Sequence, residues 1–555
     1  MKKILLGNDA IIQGALASGV SFVSGYPGCP SAEIGDNFGK IAKENGVYAE
    51  WSTNEKTALE AAIGASFSGL KSLVNMKSFG INVCSDSLLP LAYTGTKGAM
   101  VIVVADDPSC WSSAQTEQNS RVYAGFGHIP MLEPSDPQEC YDFTKLAYKI
   151  SEEFNTPVIL HTTTRVNHQK APVIFSEVKR DSQPKVGNFV KNPHQFSTMP
   201  PRTLEMKKEL LDKIKKIKQI AEVSETNQIT GGKSKIGIIT SGISYLHVKE
   251  ALEFLGSTCL PEGRDLPVLK LGFFYPLPEK KIKNFIKNLE KVLIVEELDG
   301  YLEKEITVLA KGANCKLEIF GKSVLSEIGE LNTEKITVAL AKVTGKKFVA
   351  FKTKKIDLPK RTARLCEGCP YWYVFPVLRR VAPDAIFGGD IGCNMIANLP
   401  PHSLSDYMFA MGAGIGISHG VSKAVNPAFV EASAGRQKVI SIMGDGTFFH
   451  SGIAGLINAV YNKSNPLVVI LDNRITAMTG HQPNPGMGKT LMGEDTQELS
   501  IEEITKACGV KNIKVLDPIN VQELESTVKE FLEKGEISVI ICKRICALLA
   551  KRQAK

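Results

Sequence analysis

Two stretches, Val439-Ile440-Ser441-Ile442-Met443-Gly444-Asp445-Gly446 and Leu467-Val468-Val469-Ile470-Leu471-Asp472-Asn473, decide how this chain is read. Each is a continuous apolar run ending in a polar loop, and between them Ile453, Leu456, Ile457 and Val460 recur at helical spacing. Strand, helix and strand in that order make two adjacent parallel strands whose loops leave from one carboxyl edge, where open α/β sheets place ligands. Gly444 and Gly446 let backbone N–H groups approach a diphosphate without a Cβ in the way. Asp445 and Asn473 offer the hard oxygen ligands that Mg²⁺ prefers; diphosphate oxygens, a backbone carbonyl near Ile475 and water would complete an octahedron.

The same rhythm extends outward. With 555 residues, 43% apolar and 22% charged, the chain exceeds what one hydrophobic core supports and has a soluble, multidomain composition. In residues 1–165, Phe22 to Gly25, Ser72 to Met76, Met100 to Ala105 and Pro157 to His161 read as strands between helices, which implies a parallel sheet covered on both faces. Residues 166–234 lose the alternation, carry several prolines around one charged helix and read as a linker. A smaller α/β unit is expected over 235–350, with strands at Ile236 to Ile239, Val268 to Leu271, Val292 to Val295 and Lys316 to Ile319. The last α/β unit spans 351–555, with a third strand at Ser538 to Cys542.

The net charge of +8 comes from 66 basic and 58 acidic residues. Its densest basic run, Lys207 to Lys218, alternates with Glu205, Met206, Leu210, Leu211 and Ile214 as a solvated amphipathic helix would, so nucleic-acid binding is not expected. No apolar stretch reaches bilayer length, and Gly7-Asn8-Asp9 breaks the apolar start at once; the reading is a cytoplasmic protein without a signal peptide or membrane anchor. Twelve cysteines in that compartment should stay reduced, so clustered ones read as metal ligands, catalytic thiols or core residues.

The order Gly-Asp-Gly, 26 residues, Asn resembles the signature of thiamine diphosphate enzymes. Such enzymes need a carboxylate on another domain to hydrogen-bond N1′ of the aminopyrimidine, so that the 4′-imino group can deprotonate C2. Glu55, opening the helical stretch Asn54 to Ala62, resembles that glutamate, with Glu60 as the fallback. The bland alternative for Glu55 is a first-turn carboxylate stabilised by the helix dipole.

Further motifs make the resemblance specific: Gly25-Tyr26-Pro27-Gly28-Cys29-Pro30-Ser31, Met76-Lys77-Ser78-Phe79-Gly80-Ile81-Asn82, Met131-Leu132-Glu133-Pro134-Ser135, Gly389-Asp390-Ile391-Gly392-Cys393, Thr447-Phe448-Phe449-His450-Ser451-Gly452 and Thr476-Ala477-Met478-Thr479-Gly480-His481-Gln482-Pro483. Over essentially its whole length the chain resembles the alpha subunits of indolepyruvate ferredoxin oxidoreductases. The resemblance implies an α/β fold: doubly wound pyrimidine-binding (1–165) and diphosphate-binding (351–555) domains plus a transketolase C-terminal-like domain (235–350). It also implies coenzyme-A-dependent oxidative decarboxylation of arylpyruvates, a smaller beta subunit, ferredoxin as acceptor, and a dimer or α2β2 assembly. Further cofactor contacts are implied at Gly412, Met478 and Thr479, and substrate contacts at Cys29, Asn82 and Arg121, though Arg121 also reads as a surface ion pair.

Departures bear on the activity. Family members usually carry Thr at the position of Cys29 and His at that of Ser78, and usually continue into a ferredoxin-like domain, whereas this sequence stops shortly after Cys542 and Cys546, which read as structural. Cys366, Cys369 and Cys393 resemble proximal [4Fe-4S] ligands of related oxidoreductases, with Cys508 as the fourth; the alternative is a tight turn packing under the cofactor. Besides the oxidoreductase, two readings stay open: a non-redox thiamine diphosphate decarboxylase or carboligase, and a catalytically silent structural subunit.

Overall fold

Runs of Val, Ile and Leu too apolar to face water form the centres of three sheets in the computed structural model, which describes residues 1–176, 182–258, 266–346, 359, 361–425 and 437–554. The chain divides into two compact units, Met1–Lys355 and Ile356–Lys555. The expected boundary at 350/351 lies outside the described residues.

In the first unit a seven-stranded sheet runs in the order Phe273–Tyr275, Met131–Leu132, Val158–Thr163, Met100–Asp106, Ser72–Lys77, Phe22–Gly25, Tyr48–Trp51. All neighbours are parallel except the Phe273–Tyr275 strand, which lies antiparallel to Met131–Leu132. The three central strands are buried along their whole length, as a sheet covered on both faces requires. One carboxyl edge therefore gathers the loop after Gly25, the helix starting at Glu55, the helix starting at Ser78 and the loop after Asp106.

A five-stranded sheet in the same unit has the order Glu318–Phe320, Lys291–Val295, Ile236–Ser241, Val268–Leu271, Asn227–Thr230, with only the last pair antiparallel. The stretch read as a linker is more ordered than its composition suggests. Its first part, Lys170–Ile174, pairs antiparallel with Lys2–Leu6, and its last part supplies the Asn227–Thr230 edge strand. Between them, helix Arg202–Val223 buries Met206, Leu210, Ile214, Ile217 and Ala221. Leu211, expected on that stripe, is instead exposed.

Among its described residues the second unit holds six strands, all parallel, in the order Tyr407–Met408, Ile386–Gly389, Val439–Gly444, Leu467–Asp472, Ser538–Lys543, Asn512–Leu516. Val439–Gly444 and Leu467–Asp472 are immediate neighbours, as their sequences imply. The helix between them is not regular throughout: three α-helical residues, Asp445–Thr447, lead into a π-helical turn at Phe448–Gly452, which precedes Ile453–Tyr461. That turn rotates the following helix, so Leu456 and Ala459 face the core while Ile457 is half exposed. Among the described residues no helix is long and apolar enough to cross a membrane.

Candidate active site

Asp445 follows directly on a buried strand and is itself almost wholly buried. Its Oδ1 accepts from the Gly446 N–H at 2.8 Å and its Oδ2 from Asn484 Nδ2 at 3.1 Å. Burial, with Asp472 nearby, pushes the Asp445 carboxyl up to about 7. A carboxylate held ionised in such surroundings needs a compensating positive charge, and a divalent cation on its remaining lone pairs is the group this environment favours. Asn473 lies at the end of the next strand, its Oδ1 accepting from the Ile475 N–H at 3.1 Å. Asp445 and Asn473 thus turn side-chain oxygens out from adjacent strand ends, as the sequence implies, and the Ile475 backbone follows two residues on.

The glycines have space reasons. A Cβ on Gly446 would stand 3.0 Å from Thr476 Oγ1. Gly412 has φ +81°, and a Cβ there would come within 2.5 Å of the Ser451 side chain, so only glycine brings the Gly412 backbone against the π-helical turn. Asp390 holds that loop in place: its carboxylate accepts from the N–H groups of Gly412 at 3.0 Å, Gly414 at 2.9 Å and Ile391 at 2.7 Å. Burial pushes this carboxyl, too, up to about 7. Thr447 donates to the Ile391 carbonyl at 2.8 Å and ties the Asp390 loop to the Gly444–Gly446 turn.

Met478 and Thr479 belong to a loop closed by an antiparallel bridge between Thr476 and Gln482. Thr479 Oγ1 donates to Gln482 Oε1 at 2.6 Å, which commits that hydroxyl within its own loop, and Met478 is exposed. Asn484 and Asp390 are the two site residues that sequence reasoning did not single out for a role. A carboxylate just before the Gly392-Cys393 loop was the available signal for Asp390; Asn484, in a loop 39 residues from its partner, gave none.

In the first unit Glu55 opens helix Glu55–Phe67, whose N-cap Asn54 accepts from the Thr57 N–H at 2.9 Å. Glu55 is buried, and a Cβ on Gly80 would meet its Cγ at 2.6 Å and Oε1 at 3.1 Å, so the absence of a side chain at Gly80 makes room for the carboxylate. The fallback, Glu60, is half exposed, accepts from Ser87 Oγ at 2.6 Å and pairs with Lys56 at 3.9 Å. Those contacts make Glu60 a surface residue.

The residues expected at the substrate separate into two groups. Cys29, in a cis peptide with Pro30, lies on the carboxyl-edge loop after Gly25, and Asn82 near the start of helix Ser78–Thr94. The Cys29 carbonyl accepts from Ser112 Oγ at 3.3 Å; Asn82 exchanges hydrogen bonds with Gln118 at 2.8 and 3.1 Å and accepts from Tyr123 at 2.7 Å. Burial raises the Cys29 thiol, so it stays protonated and is a weak donor. Arg121, expected at the substrate or in a surface ion pair, is not at the surface. It is 2% exposed and forks onto Glu133, Nε to Oε1 at 2.5 Å and Nη2 to Oε2 at 3.2 Å, with Nη1 on the Glu297 carbonyl at 3.2 Å. Glu133 also binds His161, whose other nitrogen meets Asp106 at 2.8 Å; the two carboxylates, acting against burial, raise the imidazole to about 9, so it is charged at neutral pH. Each guanidinium nitrogen thus donates to protein, and breaking such a buried pair costs about 3–5 kcal/mol. Arg121 therefore holds the five-stranded sheet's Glu297 segment against the first sheet.

The cysteines also regroup. Cys508 packs with Ile453, Val460 and Ile504 on an apolar cluster, and burial alone raises its thiol. The thiol of Cys393 is pushed up to about 12 by burial and then by Cys369, Cys546 and Cys366; that of Cys369 up to about 11 by burial, with Cys366 and Cys546 adding. Cys546, read as structural, thus bears electrostatically on Cys393 and Cys369 together with Cys366, whereas Cys508 packs on a different apolar cluster from Cys369 and Cys393. The Cys546 backbone N–H donates to the Asn473 carbonyl at 3.0 Å, which ties this thiol group to the cofactor loop. Among the described residues no three potential ligands are close enough to hold a single metal ion.

Comparison with known proteins follows this geometry. Residues 13–226 match the family of pyruvate flavodoxin/ferredoxin oxidoreductase thiamine diphosphate-binding domains, 227–367 the indolepyruvate oxidoreductase domain, and 390–542 the C-terminal thiamine pyrophosphate-binding domain of thiamine pyrophosphate enzymes. The chain is 42% identical to indolepyruvate oxidoreductase subunit IorA of Methanothermobacter thermautotrophicus over 99% of its own length and 87% of that protein's. It belongs to the IorA family. The subunit of the same name from Archaeoglobus fulgidus is 36% identical over 99% of this chain and 87% of that one. A solved 2-oxoglutarate:ferredoxin oxidoreductase from Magnetococcus marinus, with 2-oxoglutarate, coenzyme A and succinyl-CoA bound, shares the fold at a TM-score of 0.50 and 18% identity, covering 61% of this chain and 65% of that one. The IorA-type chain is accordingly an oxidoreductase alpha subunit with thiamine diphosphate-binding domains.

Proposed function

We propose that this subunit, assembled with a beta subunit as a dimer or α2β2, oxidatively decarboxylates arylpyruvates of the indolepyruvate type, passing the acyl group to coenzyme A and the electrons to ferredoxin. The observation that carries the reading is the buried Asp445 carboxylate, braced by Gly446 and Asn484 at a strand end beside Asn473. Asp445 and Asn473 with the Ile475 carbonyl would hold Mg²⁺, and the N–H groups around Gly444–Gly446 and Gly412 would hold the diphosphate. Thiamine diphosphate, when bound, supplies the carbon nucleophile and electron sink that a 2-oxo acid needs to lose CO₂. Glu55 would accept or donate the proton at the aminopyrimidine N1′. Cys29 and Asn82 would face the substrate, with the thiol offering a weaker hydrogen bond than a hydroxyl and leaving more room for an aryl group.

For electron exit, Cys366, Cys369, Cys393 and Cys546 would ligate a [4Fe-4S] cluster, whose four thiolates each bind a different iron and so stand wider apart than ligands of one ion. Cys546→Ser is expected to lower the iron content of anaerobically purified protein, and Cys508→Ser to leave it unchanged; the reverse pattern would restore Cys508 as ligand.

The assay that tests the whole reading is anaerobic viologen reduction by the chain with thiamine diphosphate, Mg²⁺, coenzyme A and indolepyruvate, with and without its beta subunit. Dye reduction with acyl-CoA formation is the expected result. Indoleacetaldehyde without dye reduction would make the protein a decarboxylase; no substrate consumption with either arrangement would make it a structural subunit.

A further inference from the structure

The first unit has a cavity of about 590 Å³, lined from both of its larger sheets. That is within the roughly 300–1,000 Å³ of small-ligand sites. The seven-stranded sheet contributes Trp111, in the loop after Met100–Asp106, and Arg165, in the short helix after Val158–Thr163. The five-stranded sheet contributes Leu246, His247 and Glu250 from helix Ser244–Thr258, which follows Ile236–Ser241. All three segments leave carboxyl ends of parallel strands, where such sheets bind ligands. None of the residues assigned above to cofactor, substrate or cluster lines this cavity.

Its charge is mixed. Arg165 forks onto Glu330, Nε to Oε1 at 2.6 Å and Nη2 to Oε2 at 2.8 Å, which leaves Nη1 outside the fork. Glu250 is exposed and accepts from Thr333 Oγ1 at 2.5 Å. Nearby, Glu33 stands 3.8 Å from His168, Thr164 of the lining donates to Asp107 at 2.6 Å, Glu297 acts on Arg165, and Lys335 donates to the Glu330 carbonyl at 2.6 Å. Carboxylates at least match the cations, so a phosphate or other polyanion is disfavoured.

The polar atoms point to a ligand of both signs. Burial, then Arg165, holds the His247 imidazole below its ordinary range, so it is neutral at pH 7. The Thr333 hydroxyl proton goes to Glu250, so His247 Nδ1, 3.4 Å from the same oxygen, carries the ring proton and Nε2 is an acceptor. His247 Nε2 and Gln169 Oε1 are both buried with no hydrogen-bond partner among the described residues, whereas buried polar atoms are nearly always partnered. With Glu250 they make three acceptors, the number an alkylammonium can satisfy, while Arg165 Nη1 suits a carboxylate. The apolar wall is Ile243, Leu246 and Trp111, whose indole is 67% exposed and held by Nε1 to Glu330 Oε2 at 3.3 Å. A held, uncovered indole is a surface for a second aromatic ring. An aryl carboxylate would leave the acceptors unmatched, and an aryl amine would leave Arg165 Nη1 unmatched.

We propose that this cavity is an effector site for a free aromatic amino acid, its ammonium on His247, Gln169 and Glu250, its carboxylate on Arg165 and its ring on Trp111. The neighbouring residue connects the site to the substrate loop: Ser112 Oγ donates to the Cys29 carbonyl at 3.3 Å, and the Ser112 carbonyl accepts from Lys77 Nζ at 2.7 Å. Binding does not depend on the proposed reaction; the effect on substrate does.

Calorimetric titration of the full chain, saturated with thiamine diphosphate and Mg²⁺, with L-tryptophan, tryptamine and indole-3-lactate tests the site. Tryptophan is expected to bind, and each of the other two, lacking one charged group, at least about tenfold more weakly. Trp111→Ala should weaken tryptophan about tenfold. Glu250→Gln should weaken tryptophan and tryptamine but not indole-3-lactate. Equal binding of the three compounds, or parental tryptophan affinity in Trp111→Ala, overturns the proposal. In viologen reduction, tryptophan should change the KM for indolepyruvate in the parent complex and not in Trp111→Ala. Purely competitive inhibition that persists in Trp111→Ala would place the amino acid in the substrate site and overturn the proposal, and binding without any kinetic change would overturn the effector role. Absence of turnover without tryptophan defeats the proposed reaction alone, since calorimetry still decides the site.

Discussion

Asp445→Ala is expected to abolish Mg²⁺-dependent thiamine diphosphate binding, lowering affinity by more than about 100-fold, since losing even a partner outside the ligand set costs 10–100-fold. The apo protein should not suffer. A carboxyl pushed up to about 7 binds its proton more tightly folded than unfolded. Folding therefore loses stability as pH rises from about 4 to about 7, and the whole cost is present above that. Alanine removes this cost, so at pH 8 without cofactor the variant should melt no lower than the parent. With thiamine diphosphate and Mg²⁺ added, the parent's melting temperature should rise and the variant's should not. A variant that binds the cofactor at parental affinity would remove Asp445 from the site; one that melts lower in the apo state would show its hydrogen bonds to Gly446 and Asn484 matter more than its desolvation.

How much of this site the sequence carries depends on how local the signal is. The parallel pair Val439–Gly444 and Leu467–Asp472 was legible because continuous apolar runs have no other solution than a doubly covered sheet, and the polar residues at their ends then share an edge. The helix between them was legible in existence but not in phase. One π-helical turn at Phe448–Gly452 carries the Gly-Asp-Gly backbone into the helix, and it moves Ile457 from the expected apolar face to solvent. Edge strands such as Asn227–Thr230 and Phe273–Tyr275 escaped because they are short and their pairing is decided by distant partners.

The surroundings of three residues could not be read from the sequence, for one reason. Arg121, Cys508 and Cys546 are single residues whose role is set by what long-range folding puts beside them. For Arg121 that is Glu133 and, through it, His161 and Asp106, a buried charge chain that no spacing rule announces. For the thiols it is the extension beyond Ser538–Lys543, which is stitched to Asn473 and so carries Cys546, rather than Cys508, toward Cys366, Cys369 and Cys393. Glu55 could be singled out because the beginning of a helix is a local feature, and its distinction from Glu60 emerges only from burial.

That burial makes Glu55→Gln the sharpest test of the catalytic assignment. A first-turn glutamate whose only task is to complement the helix dipole gains most of its benefit while solvated, and contributes 0.3–1 kcal/mol at an exposed position, roughly. Glu55 is instead buried, and Gly80 leaves it the space. Burying a carboxylate is costly unless specific partners use it. Glutamine keeps the size and one hydrogen-bonding oxygen but cannot take a proton, so the cofactor should still bind within a few-fold of parental affinity. Turnover with indolepyruvate should fall by about 10²- to 10⁴-fold, the usual contribution of a positioned proton-transfer group. Glu60→Gln, at a half-exposed surface position, should leave turnover unchanged. If Glu55→Gln turns over normally while Glu60→Gln does not, the proton-transfer role belongs to Glu60. If neither substitution affects turnover, the aminopyrimidine partner is not on this helix, and the burial of Glu55 beside Gly80 is a packing feature of the first sheet's carboxyl edge.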